Sequence, residues 1–387
     1  ILKGRVDGLD ARVGVLEANQ FSTTTKLKGI ATMVIGGASN GYTAATTART
    51  ENLTQDHITF NYDVKLNLDT SFTGKDLLRT TLRSNNFQNS IFGQNGSDAL
   101  EVASNPSNTS ADAVGINRLF YQFPVGSNWT ATVGAKVRQD DMLAMWPSAY
   151  GADTILDRMT YAGAPGTYTF NLGAGAGISY KKDGFSLSAL YIANQLTAGS
   201  SADSAATSGS GIGAASSTTF QAGYAAANWG MAFAYTYTSY ANNTAANDPN
   251  ASYAVYGGNG LGFSAYWQPK QTGIIPSISA GVGTVYYNGN TPTNTHTTWE
   301  VALQWNDAFV KGNALGMSYG DTVSGGTGAP GSTIASTVSG MPSYAYEIFY
   351  KFQVTDNISV TPAFFWINGQ GTNADQTGGL IKTTFRF

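Results

Sequence analysis

Five cations stand close together in the first third of the chain. Arg79 and Arg83 fall opposite Leu78, Thr80 and Leu82, Arg118 falls opposite Leu119 and Tyr121, and Lys136 and Arg138 fall opposite Val133, Ala135 and Val137. On extended chain this alternation gathers the charges on one face and the apolar residues on the other. The segment 139–160 follows directly and is acidic, with Asp140, Asp141, Asp153 and Asp157. Opposed charges of this kind do no covalent chemistry; they set a transverse field that orients solutes and biases the passage of ions. Covalent chemistry has few candidates. The two histidines, His57 and His296, are far apart in the chain, and His57 and its neighbour Asp56 would point to opposite faces of a strand. There is no cysteine, so a transition-metal site has almost no donors. Glycine runs such as 257–260 lack the following helix of a phosphate loop. No catalytic residue, metal or cofactor is therefore expected.

The segment 139–160 carries a second signal. Met142, Leu143, Met145, Trp146, Tyr150, Ile155, Leu156 and Met159 make it too apolar for an ordinary exposed loop. Either it folds back into a lumen and narrows it, or it packs at a contact between copies; the first is the expectation. Trp146 and Tyr150 would then be able to stack on a sugar ring.

The elements that would hold these residues are strands. From Lys26 onward apolar residues recur with period two: Ile58, Phe60, Tyr62, Val64, Leu66 and Leu68 alternate with Thr59, Asn61, Asp63, Lys65 and Asn67. Sixteen such segments are predicted, at about 26–35, 57–69, 77–84, 114–123, 129–138, 167–181, 184–194, 217–227, 229–239, 255–268, 276–287, 297–306, 312–320, 343–353, 357–367 and 379–387, with fourteen or eighteen strands as the alternatives. Their apolar faces have no covering helix in the sequence, which makes lipid their neighbour. Charged residues are only 12% of the chain while hydrophobic residues are 42%, and no apolar run approaches the ~20 residues of a membrane-spanning helix. Long connections rich in Gly, Ser, Thr and Asn alternate with tight turns at 73–76, 124–128, 182–184, 228–230 and 355–357. Short periplasmic turns facing long external loops are the topology of an outer-membrane barrel. Trp129, Trp229, Trp267, Trp299, Trp305 and Trp366 near strand ends read as interfacial girdles, the alternative being the ordinary β-propensity of aromatics. Net charge is −3, which argues against nucleic acid. Sparse inward charges elsewhere (Asp63, Lys65, Glu300, Glu347, Lys351, Lys382, Arg386) leave the sign of any selectivity open.

The ends differ from the middle. Leu2, Val6, Leu9, Val13 and Leu16 are spaced four, three, four, three, the seam of a coiled coil. A helix of ~18 residues spans only ~27 Å and is marginal alone, so residues 1–20 are expected to self-associate as a periplasmic trimeric linker, or else to pack on the barrel rim. The chain opens on Ile1 in mid-helix pattern, as though an N-terminal portion preceded it. At the other end Ile381, Thr383, Phe385 and Phe387 share the lipid side, and Lys382, Thr384 and Arg386 the lumen side. With an even strand count both ends of the barrel, residues 21–387, lie on the periplasmic side.

The order of these elements carries a resemblance: the heptad from Leu2 to Leu16, the entry strand reached through residues 21–29, the strand Asn117-Arg118-Leu119-Phe120-Tyr121-Gln122-Phe123-Pro124, and the terminal Phe385 and Phe387. Together they resemble the major cyanobacterial outer-membrane porins, which are related to the carbohydrate-selective porins and carry an N-terminal surface-layer-homology domain. The terminal phenylalanine pattern is similar to the signal read by the outer-membrane assembly machinery. The resemblance implies a homotrimer in outer-membrane lipid whose N-terminal domain binds peptidoglycan-linked polysaccharide. Its function would be passive diffusion of small hydrophilic solutes and inorganic ions. A sugar-selective pore and a nearly closed anchor between membrane and cell wall are the alternatives, with an outer-membrane enzyme a distant third. Deleting residues 1–20 should lower the temperature at which the trimer dissociates on a semi-native gel, and an unchanged temperature would reduce the helix to a linker.

Overall fold

A computed structural model describes residues 24–39, 57–93, 99–103, 111–151, 154–194, 211–213, 216–239, 258–287, 295–322, 344–368 and 375–387. The heptad residues Leu2, Val6, Leu9, Val13 and Leu16, and Asp153 of the acidic segment, lie outside them.

The strands are β1 (Thr25–Ala38), β2 (Thr59–Thr70), β3 (Leu77–Asn85), β4 (Gly115–Val125), β5 (Trp129–Arg138), β6 (Leu172–Lys182), β7 (Phe185–Asn194), β8 (Ser216–Ala225), β9 (Trp229–Thr238), β10 (Gly258–Trp267), β11 (Ser277–Tyr287), β12 (Thr295–Asn306), β13 (Ala314–Asp321), β14 (Tyr344–Thr355), β15 (Ile358–Ile367) and β16 (Gln376–Arg386). Each pairs antiparallel with its sequence neighbours, and β1 pairs with β16, so the sixteen strands form one closed barrel. Closure satisfies the backbone donors and acceptors that a bilayer cannot. The expected strand count and all sixteen segments are found. The main boundary error is at β6, which begins at Leu172 rather than at 167 because residues 167–171 belong to a segment inside the barrel.

Alternation sets which face meets which solvent. On β2, Phe60 is 66% exposed on the outside while Asp63 is 1% exposed on the inside. Met33, Ile35, Val133, Leu187, Phe220, Phe233, Phe263, Val282, Phe364 and Ile381 continue the outward apolar belt around the barrel. Trp129, Trp229 and Trp267 lie on this belt near the short turns, where Trp129 packs on Tyr180 and Trp229 on Tyr224. Trp299, Tyr319 and Tyr344 cluster toward the long-loop end.

On β4 and β5 two irregularities interrupt the alternation. Between β3 and β4 the register slips around Asn117, so both Asn117 and Arg118 are buried. Between β4 and β5 it slips again at Ala135, with Leu119 opposite Lys136 but Phe120 opposite Gly134. An extra residue in one strand disrupts the ladder and the alternation locally. Val137, expected among the outward residues, is accordingly fully buried inside against Phe120, Met142, Leu190 and Ile192.

Both ends of the barrel meet at the rim of short turns. Phe387 donates its backbone N–H to Gly29 and accepts one from it, at 3.0 and 2.6 Å. Its ring lies over Gly29, where a Cβ would sit 2.2 Å from the ring. Removing Phe387 deletes both bonds and should cost about 2 kcal/mol at ~1 kcal/mol per bond; a urea titration of the refolded barrel reads this as a lowered midpoint.

Candidate functional site

The connection from β5 to β6 lies inside the barrel. Its base is closed by Gln139, whose backbone N–H bonds Asn171 O at 3.0 Å, and whose side-chain amide donates to Thr167 O and Thr219 Oγ1 and accepts from Phe170 N. From there the chain follows the inner wall. Ala144 N donates to Ser188 Oγ on β7 and Ala149 N to Ser279 Oγ on β11. Glu347 on β14 then takes three bonds, from Tyr150 Oη at 2.7 Å, Leu156 N at 2.7 Å and Ile155 N at 3.3 Å. Lys382 Nζ of β16 donates to Thr154 O at 2.9 Å. Glu300 on β12 accepts from Gly163 N and from Ser318 Oγ. A buried carboxylate is tolerable only when its lone pairs are taken up in this way.

Where the returning chain passes β10 and β11, the wall is glycine. A Cβ on Gly281 would lie 1.8 Å from Ala162 O, and one on Gly260 would lie 2.1 Å from Gly166 O. Gly260, the last of the run 257–260, is thus a seat for another stretch of backbone.

A second connection, between β3 and β4, also enters the barrel. Phe87, Ile91, Phe92 and Leu100 are buried with Ile155, Leu156 and Met159 against Phe349, Phe365 and Leu380 of the wall. Leu100 bridges Leu156 as a short antiparallel pair. The barrel therefore has an apolar core on the β14–β16 side, and large side chains buried there contribute roughly 1.5–3 kcal/mol each. The sequence reading did not single out this connection. The signal was Phe87, Ile91, Phe92, Leu100 and Val102 within an otherwise polar stretch.

The charges gather on β2–β5 and the segment after them, but as contact pairs rather than across an open gap. Arg79 makes two bonds to Asp69 at 2.7 and 2.9 Å, and Arg83 bonds Asp63 at 2.6 Å, both partners being on the adjacent β2. Arg118 reaches Asp141 at 2.6 Å, and Arg138 makes a fork to Asp140 at 2.6 and 2.5 Å. Lys65 faces Glu101 at 3.9 Å. Lys136 stands half-buried beside the β4–β5 irregularity. Asp157 accepts from Tyr161 Oη. Burial alone would raise the Asp140 carboxyl, but Arg138 outweighs it and holds it below its ordinary range.

Beside these pairs is a cavity of about 570 Å³ lined by Glu101, Arg138, Asp140, Trp146, Asp157, Phe170 and neighbouring residues of the internal segment. The Arg138 guanidinium lies 4.4 Å over the Phe170 ring, and Phe170 in turn stacks on Trp146 at 5.2 Å. Tyr150 also reaches this cavity, yet it is 3% exposed and its hydroxyl is committed to Glu347. Burial first, and the Glu347 charge second, raise that hydroxyl well above its ordinary value, so it remains a donor at neutral pH. Of the two expected stacking residues, Trp146 is half-buried at the cavity between Tyr168 and Phe170, and Tyr150 is packed into the wall. His57 is exposed and His296 lies on β12.

An outwardly apolar, inwardly charged barrel with chain folded into its lumen is the architecture of an outer-membrane porin, a channel for passive diffusion of solutes. The chain matches the family of carbohydrate-selective porins, the OprB family, over residues 1–387, and it belongs to that family. An uncharacterized protein of Nostoc sp. strain PCC 7120 is 29% identical over 428 residues, covering 100% of this chain and 69% of the relative. One from Synechocystis sp. strain PCC 6803 is 29% identical, covering 99% and 72%. Among solved structures, Pseudomonas putida OprB at high pH superposes with a TM-score of 0.60 at 13% identity, covering 98% of this chain and 97% of that one. A mutant of the Rhodopseudomonas blastica porin gives 0.52 at 13%, covering 94% and 100%. These two likenesses speak to the fold.

Glu347→Ala removes the acceptor of three bonds and leaves two backbone donors unpaired inside the barrel. At about 1–3 kcal/mol for each unpaired group, the inner segment should detach locally, and single-channel recordings should show larger and noisier steps than the parent protein.

Proposed function

We propose that residues 139–171, together with the paired charges of β2–β5, form the constriction of this porin. Solutes pass beside Arg138, Asp140, Trp146 and Phe170. The observation that carries this is the stack of Arg138, Phe170 and Trp146 next to the Arg138–Asp140 fork, on the wall of the cavity. Ion pairs in contact have little net charge, so the pore would pass small hydrophilic solutes and inorganic ions of both signs, with modest preference. Arg118, Arg79, Arg83, Lys136, Asp141 and Asp157 tune that preference; Asp153 belongs to the same acidic segment.

A second reading, preference for sugars, is favoured by the same aromatic stack. Sugar rings present C–H faces to aromatic rings and hydroxyls to carboxylates and guanidinium groups, and Asp140, Asp157 and Glu101 stand within the same cavity. The family's carbohydrate selectivity is in keeping with it. We further infer that the short-turn rim, with Phe385 and Phe387, faces the periplasm, and that Phe387 marks the chain for assembly. The heptad 1–20 would help hold a homotrimer there and link it to a domain bound to peptidoglycan or its polysaccharide.

Planar-bilayer recording tests the pore. Discrete steps in groups of three are expected, and a folded protein without conductance would favour the anchor reading instead. Neutralising Arg79, Arg83 and Arg118 together takes the guanidinium partners from Asp69, Asp63 and Asp141 and should move the reversal potential toward cation preference. For the sugar reading, a maltooligosaccharide should reduce the ion current of the parent protein, and Trp146→Ala should weaken that block about ten-fold, the loss of ~1.4 kcal/mol of ring contact.

A further inference from the structure

Most of the tight turns are small and polar, such as Gly126-Ser127-Asn128, Asp183-Gly184 and Asp356-Asn357. Two neighbouring ones are not. The β10–β11 turn carries Ile274, 95% exposed, with Ile275 beside it, and the β12–β13 turn carries Phe309, 89% exposed, with Val310. Phe72 in the β2–β3 turn is also exposed and packs on Tyr121, but no second apolar residue of its turn stands beside it.

Both turns fold outward, onto the lipid-facing side. Trp305 lies on the outer face of β12, and its indole N–H donates to Ile274 O at 2.6 Å. Phe309 packs on Tyr350 with ring centroids 6.0 Å apart, and Tyr350, outward on β14 because Phe349 points in, packs on Phe352. The turns are tied to each other. Asp307 accepts from Gly312 N at 2.7 Å and also from the Thr272 hydroxyl of the neighbouring turn. Tyr350 Oη donates to Ala308 O, and Asn313 donates to Tyr350.

Phe309 itself has φ 62°, a left-handed backbone that bulky residues avoid. Water would gain nothing from a strained, exposed ring at the tip of a turn; Gly or Asn would serve there. An interfacial layer would gain, because aromatic and aliphatic side chains at headgroup depth are stabilised by it. Lys270 and Lys311 flank the two apolar pairs and are exposed, while Asp307 between the turns is held by Gly312 and Thr272 and only weakly attracts Lys311.

We propose that these two turns form a binding site for a phospholipid with an anionic headgroup, in the leaflet that meets the short-turn rim. Ile274, Ile275, Phe309 and Val310 take the upper acyl chains and Lys270 and Lys311 take the phosphate. The site continues the apolar belt of the barrel wall past its last tryptophans. It rests on the lipid-facing outside of the barrel and not on the constriction.

The test is native mass spectrometry of the full chain in detergent, titrated with phosphatidylglycerol or phosphatidylcholine. The parent protein should retain phosphatidylglycerol preferentially. Lys270→Gln with Lys311→Gln, a change that leaves every turn bond in place, should remove that preference, at about five-fold per lysine. Ile274→Ser, Ile275→Ser and Phe309→Ser combined should lose both lipids, while unchanged heat-modifiability on a gel shows the barrel still closed. Equal retention of the two lipids by the parent protein would overturn the proposal. So would unchanged retention by the serine variant. A fall in oligomer mass with lipid retention intact would also overturn it, assigning the surface to a second copy of the chain.

Discussion

A bilayer supplies no hydrogen bonds, so a chain that crosses it as strands must pair its last strand with its first. That single requirement underlies the rest of this molecule. It gives sixteen strands in one ring, and it makes the ring's outside apolar. It also leaves an enclosed interior that hydrocarbon never reaches. Here the interior is filled in two chemically different ways. Toward β14–β16 it is packed with Phe92, Leu156, Met159, Phe349 and Phe365, all buried. Toward β2–β5 it holds ion pairs and a cavity.

The inserted chain is held by residues of β10–β14 that have little in common except what they accept or leave free. Gly260 and Gly281 give up side chains so that backbone may lie on backbone. Glu300 and Glu347 give up solvent so that the N–H groups of Gly163, Ile155 and Leu156 have acceptors. A loop inside a barrel has the same unsatisfied backbone as a loop inside any protein, and these carboxylates and hydroxyls answer it.

Most of the barrel was legible in the sequence because period two is a local signal: Phe60, Tyr62 and Val64 declare their face without reference to anything distant. The errors came where a distant contact overrides the local one. Residues 167–170 look like strand, but Thr167 O is claimed by Gln139 and Thr236, so β6 starts later. Val137 looks outward until an extra residue at Ala135 turns it in. The cations of β3–β5 were visible, as was the acidic segment; their partners were not. Asp63 and Asp69 meet Arg83 and Arg79 through the register of β2 on β3, which spacing alone does not fix. Glu347 was readable as an inward charge, whereas its three donors lie some two hundred positions earlier in the chain.

The bond from Lys382 to Thr154 has a consequence for how the molecule is made. The two residues are separated by 228 positions, and Lys382 belongs to the strand that closes the ring. Thr154 cannot find that partner until nearly the whole chain is in place, and contacts this remote are the slow ones to form. Closing the wall and settling the inner segment thus complete each other. An unfinished barrel is open along its side and loose in its lumen at once, and the last strand ends both conditions together.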